Sequence, residues 1–229
     1  MIEYRSNGCM NSIPVATRNI ILINIFVMLF SGLRPEFMYG NFSLFYIHSP
    51  FFHWWQPVTH MFMHGGFWHI FFNMYTLWLF GSVLERSWGP KKFLFFYFVT
   101  GLGAAALHMG AQALQEYYYQ LQIAANTPGA AEALGQLYSI PTVGASGAIY
   151  GLLVGYAMLY PDSRLTLIFP PITLTAKWMV IIFIIIELFT GVFGRMVDVA
   201  HFAHLGGALF GWLLVLYWKK QGKMYGDER

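Results

Sequence analysis

The stretch Gly144-Ala145-Ser146-Gly147-Ala148-Ile149-Tyr150-Gly151-Leu152-Leu153-Val154-Gly155-Tyr156-Ala157-Met158-Leu159-Tyr160 decides how this chain is read. It is apolar enough for lipid, yet it opens on a serine. Pro161-Asp162 cuts it off after about 15 residues, short of the ~20 that a spanning helix needs. Gly147, Gly151 and Gly155 recur every four residues and form a smooth stripe along one helix face. Small residues at that spacing let membrane helices pack closely, where lipid offers no hydrophobic driving force. The last apolar stretch carries Ala203-His204-Leu205-Gly206-Gly207, with His204, Gly207 and Gly211 on a shared face. A serine and a histidine on two different membrane helices are the minimum for a base-activated nucleophile.

Composition agrees with a lipid setting. The chain has 229 residues, 57% hydrophobic and only 10% charged, whereas a soluble domain carries about a quarter charged residues. A formal charge of +3 is too small and scattered for a nucleic-acid partner. The single cysteine, Cys9, excludes a disulfide framework and a cysteine metal site. Six apolar segments follow one another, about 19–33, 66–84, 93–113, 146–160, 178–193 and 200–218. The expected fold is therefore an all-α polytopic bundle of six transmembrane helices with a short fourth helix. A cytoplasmic segment 1–18 would precede the membrane domain 19–218, and a basic tail 219–229 would follow it; the first apolar run reads as a retained anchor.

Charge orients the bundle. With both termini cytoplasmic, Arg5, Arg18, Arg86, Lys91, Lys92, Arg164, Lys177, Lys219, Lys220, Lys223 and Arg229 lie inside. Only Arg34 and Arg195 lie outside, so 11 of 13 basic residues obey the positive-inside rule. Two long connections then face outward. Residues 34–58 mix prolines with many aromatics and read as an element lying at the headgroups. Residues 112–143 are polar and Ala-rich with a break at Thr127-Pro128-Gly129, and read as an amphipathic extension of the third span that turns back. No internal repeat supports a transporter built from duplicated halves.

This topology, set by charge alone, puts Ser146 and His204 at a similar depth near the outer face. Tyr150, one turn below Ser146, can stack on the imidazole. In His60-Met-Phe-Met-His64-Gly-Gly-Phe-Trp-His69-Ile-Phe-Phe-Asn73 the last two polar residues, His69 and Asn73, share one face of the second span. Aimed at the serine, they and the unpaired N–H of Ser146 would stabilise a tetrahedral oxyanion. The short fourth helix leaves room above Ser146 for water.

Blander readings stand beside these. A lone Gly-x-Ser-Gly is weak, since serine often only packs between membrane helices. His60 and His64 fit structural roles. His201, one turn before His204, competes as base, and the Gly207/Gly211 register favours His204. Five histidines suggest zinc, but the expectation is no metal: no carboxylate or cysteine is placed to help them and no His-Glu-x-x-His occurs. Glu187 is the only acid deep in an apolar run, and a structural pairing with a backbone group or a histidine is the expected use. Asp198 precedes His204 by about two turns and is not assigned.

Gly144-Ala145-Ser146-Gly147 with Tyr150, His204 with Gly207 and Gly211, and His69 with Asn73 together resemble the rhomboid family of intramembrane serine proteases, over nearly all of 55–211. The resemblance implies a serine–histidine dyad without an aspartate: Ser146 as nucleophile, His204 as base, His69 and Asn73 as oxyanion donors. It also implies transmembrane protein substrates in the lipid bilayer with small residues at the scissile bond, no cofactor, and residence in a bacterial cell membrane. Two departures are Trp55-Gln56, where the family commonly has tryptophan–arginine, and the long 112–143 connection. A solute channel and a catalytically silent relative that only binds helices are the rival classes.

Overall fold

The structure, a computed structural model, describes residues 13–167, 170–193 and 200–224. Arg5, Cys9, Arg195, Asp198 and Arg229, used or weighed above, lie outside them. Helices fall on all six apolar segments. They are α1 (Val15–Leu33), α4 (Phe67–Thr76) running through a π-helical turn (Leu77–Gly81) into α5 (Ser82–Trp88), α6 (Pro90–Ala124), α8 (Ser146–Leu159), α9 (Ala176–Phe193) and α10 (Ala200–Lys220). Between the first two segments lie α2 (Pro35–Phe42), α3 (Gln56–Thr59) and a short 3-10 turn (His60–Phe62); α7 (Ala130–Ser139) sits between α6 and α8. The result is a nearly all-α polytopic membrane bundle. Among the described residues, α1, α6 and most of α10 are long and apolar enough to cross a membrane unaided by their neighbours.

One local feature departs from an all-α reading. Arg164–Thr166 and Thr173–Thr175 form a two-stranded antiparallel hairpin between α8 and α9. The strands read Arg-Leu-Thr and Thr-Leu-Thr, and threonine, which is β-branched, suits a pleated ribbon better than a helix.

The helix limits have specific causes. α1 starts at Val15, four residues ahead of the apolar run, because the Glu85 carboxylate of α5 accepts from the N–H groups of Ala16 (2.9 Å) and Thr17 (2.7 Å) and from the Thr17 hydroxyl (2.8 Å). A buried anion thereby satisfies orphan donors at the positive end of the helix. α6 continues to Ala124, and α7 folds back along it after Gly129, which takes a left-handed conformation. α8 stops where Tyr160 and Pro161 end the ladder.

α8 sits at the centre, most of its residues buried, with α10 and α6 packed on either side. Trp88, Phe93, Phe96, Leu152, Val215 and Trp218 belong to the buried apolar cluster of this core. Large apolar side chains remain exposed around the rim, including Phe26, Leu29, Trp68, Ile185, Phe189 and Trp212. An exposed apolar belt of this extent is what lipid covers.

Candidate active site

The descent into α8 is pinned from several sides. Leu44 and Thr142 exchange paired backbone hydrogen bonds, both 2.8 Å, and Gly144 N–H donates to the His60 carbonyl at 3.0 Å. Gly144 has φ +132°, a conformation that strains an L side chain. A Cβ there would lie 2.9 Å from His69 Nε2 and 3.4 Å from Ser146 Oγ. The missing side chain therefore leaves an open point flanked by the imidazole of one helix and the hydroxyl of another. No side chain caps the N-terminus of α8, so its first-turn N–H groups face the same region.

Ser146 Oγ lies 2.8 Å from His204 Nε2. The Tyr150 ring lies flat on the His204 imidazole, centroids 4.4 Å apart and planes 8° apart. Across this pair, His69 on α4 accepts from Gly65 N–H at its Nδ1, 3.2 Å away. An accepting Nδ1 leaves the neutral ring's proton on Nε2, the nitrogen that faces the open point at Gly144. Asn73 is buried one turn deeper on α4. His64 is fully buried behind His69, ring centroids 5.0 Å apart.

The approach of α8 to α10 depends on glycine. A Cβ on Gly207 would lie 1.8 Å from the Gly147 carbonyl oxygen, and one on Gly211 2.9 Å from Gly151 Cα. The stripe on α8 is shared, however. The faces of Gly147 and Gly151 that lack a side chain meet Ala104 and Thr100 of α6, at 2.4 and 2.5 Å from an added Cβ. The helix is squeezed from two directions.

The expected pairing of Glu187 with a histidine is present, and it involves two histidines at the centre of the polar cluster, a convergence that sequence reasoning did not foresee. Glu187 of α9 is 8% exposed, and three donors converge on it. Tyr150 OH donates to Oε1 at 2.5 Å, His204 Nδ1 contacts Oε1 at 2.9 Å, and His201 Nδ1 contacts Oε2 at 2.5 Å. This corrects the expectation that no carboxylate stands among the histidines. Ala176, Val180, Phe183 and Glu187 follow helical spacing along the inward face of α9, a signal that marked the acid as facing the bundle. His201 turns to Glu187 and Thr190. One ligand-type atom from each of Glu187, His201 and His204 lies within 4.8 Å of the others, a spacing a cation can share. Both Glu187 oxygens, His201 Nδ1 and both His204 nitrogens already have hydrogen-bonding partners.

Gln56, at the position where the resemblance implies an arginine, is fully buried and ties the 34–58 connection together. Its amide nitrogen donates to Phe51 O at 2.9 Å and its Oε1 accepts from Phe45 N–H at 3.3 Å. A neutral amide serves both needs without burying a charge.

Fold and site together define a helical membrane protein with a polar cluster at the head of its short central helix. The chain belongs to the rhomboid family: the family's Rhomboid domain matches residues 51–221. It is 30% identical over 167 residues to the presenilin-associated rhomboid-like protein, mitochondrial, of Bos taurus, covering 70% of this chain and 38% of that protein. Rhomboid protease AarA of Providencia stuartii is 29% identical over 168 residues (70% and 54%). Rhomboid protein 1, mitochondrial, of Saccharomyces cerevisiae is 28% identical over 159 residues (69% and 40%). The match therefore spans about half or less of these relatives. Proteolysis is an activity of the family, as the name of AarA states.

Proposed function

We propose that this chain is an intramembrane serine endopeptidase cutting peptide bonds within or next to transmembrane segments of other membrane proteins. The observation that carries the reading is the 2.8 Å contact between Ser146 Oγ and His204 Nε2, on helices held together by Gly207 and Gly211. Neutral His204 takes the hydroxyl proton as Oγ attacks the scissile carbonyl carbon, and the C=O electron pair moves onto oxygen. His69 Nε2–H, the Asn73 amide and the Ser146 N–H hold that oxyanion. His204 then returns the proton to the leaving nitrogen as the C–N bond breaks, and water repeats the sequence on the acyl-enzyme. A helix hides its carbonyls in its own hydrogen bonds, so a substrate segment must unwind at the cut.

The positive-inside count supports cytoplasmic termini and a site toward the outer face, with segments 1–18 and 219–229 flanking the membrane domain; residence in a bacterial cell membrane is what the resemblance implies. The mechanism requires neither metal nor cofactor. The test is reconstitution in lipid vesicles with a labelled transmembrane substrate. Wild type should cleave and bind a fluorophosphonate, Ser146→Ala and His204→Ala should do neither, and cleavage surviving both substitutions would exclude the mechanism.

A further inference from the structure

We infer that Glu187 is the third member of a Ser146–His204–Glu187 relay, a positioning residue that keeps the His204 proton on Nδ1 and aims Nε2 at the serine. The inference rests on the serine-protease reading and goes beyond the acid-free pair that the family resemblance implies.

The two nitrogens of His204 divide the work. Nε2 meets Ser146 Oγ at 2.8 Å while Nδ1 meets Glu187 Oε1 at 2.9 Å. An ionised carboxylate is acceptor-only, so Nδ1 is the donor and Nε2 is left as the acceptor that a general base requires. Tyr150 locks this arrangement. Its ring lies against the imidazole while its hydroxyl ends on the same Oε1, so ring plane and carboxylate are set by one side chain. His201 holds the other oxygen, which fixes the carboxylate's rotation. A carboxylate in an apolar helix is expensive, and three donors from α8 and α10 offset that cost. When Nε2 takes the serine proton, the imidazolium finds an anion already in contact, and the Nδ1 proton stays in that hydrogen bond. Among the described residues the titratable groups around His204 are Glu187 from α9, His201 on its own helix, Tyr150 from α8 and His69 from α4.

The experiment uses the full chain in lipid vesicles with the labelled substrate. Glu187→Gln should lower kcat roughly 10- to 100-fold with KM changed less than about 2-fold, since the contact strengthens only as charge develops. The acid limb of its kcat profile should move down by about one pH unit, because the imidazolium loses its counterion. Glu187→Asp, keeping the charge on a shorter arm, should recover part of the rate. Wild-type kcat and pH profile in Glu187→Gln would overturn the relay. So would wild-type activity that EDTA abolishes and zinc restores, since the cluster would then serve a cation. Should Glu187→Gln not fold, the fluorophosphonate labelling rate of Glu187→Asp decides: slowed labelling supports the relay and an unchanged rate overturns it. Cleavage surviving Ser146→Ala sinks the protease reading itself, whereas an inactive Ser146→Ala beside a fully active Glu187→Gln sinks only the relay.

Discussion

Two carboxylates in this molecule collect nearly the same donors and do different things with them. In the cap formed by the 34–58 connection and α7, Glu116 of α6 accepts from the phenols of Tyr46 and Tyr138 and pairs with His48 Nδ1 at 2.8 Å. In the bundle, Glu187 accepts from Tyr150 and pairs with His201 and His204. The first cluster ties the 34–58 connection to α6 and α7, and the side chain of His48 is 61% exposed. The second is covered by three helices, and its imidazole at 204 has a far nitrogen on a serine hydroxyl. A buried carboxylate with phenol and imidazole partners is a clasp by default. It becomes chemistry only where the other face of the imidazole meets a nucleophile at an open point, as beside Gly144.

The comparison breaks most sharply on activity. His204→Ala should lower kcat more than about 10³-fold, while Glu116→Gln should leave kcat within about 2-fold; equal losses in a vesicle cleavage assay would show the cap to be part of the chemistry. Next in size is the backbone contact that brings serine and histidine together. Gly207→Ala places a methyl 1.8 Å from the Gly147 carbonyl, which should cost about 3 kcal/mol of unfolding free energy or more and reduce fluorophosphonate labelling in parallel. Stability intact alongside lost labelling would mean that the helices part without unfolding.

A matched pair of phenol deletions sharpens the contrast. Tyr150→Phe keeps the stacked ring and removes the bond to Glu187, so kcat should fall roughly 3- to 10-fold. Tyr138→Phe should leave kcat alone and lower stability by about 1 kcal/mol, read from thermal unfolding in detergent.

The smallest effect is the pH dependence of the cap. Burial alone would raise the Glu116 carboxyl, but hydrogen bonds from Tyr138, Tyr46 and His48 outweigh it and hold it below its ordinary 4.5. Its contribution is present above that pH and is lost as pH falls further. The Tyr138 phenol is pushed up to about 12 by its bond to Glu116 and then by burial. Its contribution is complete below pH 10 and is lost as pH climbs toward 12. Glu116→Gln should flatten both edges of a stability–pH curve, and edges that persist in that variant would assign them elsewhere.

Much of the bundle was legible because lipid imposes a simple rule on composition. Long apolar runs, a proline that stops the fourth, and glycine at every fourth residue all announce themselves one segment at a time. The extension of α6 and its reversal near Gly129 were legible too, from a change in polarity. The cause of α1 beginning at Val15 was not, because its cap is a carboxylate about 70 residues away on α5. The hairpin at 164–175 was missed because three-residue strands leave almost no periodic signal.

What the sequence determined by itself is the membrane bundle, its short central helix, and the presence of a hydroxyl and an imidazole at matching depth. Depth follows from distance along a helix, which a chain records directly. Only the tertiary structure decided which side chains meet across helices: Glu187 beside His204, the side on which each helix's glycines make room, and Gln56 as a buried tie. Lateral pairing depends on how helices rotate and pack around one another, and that information lies in contacts between segments, which no single segment carries.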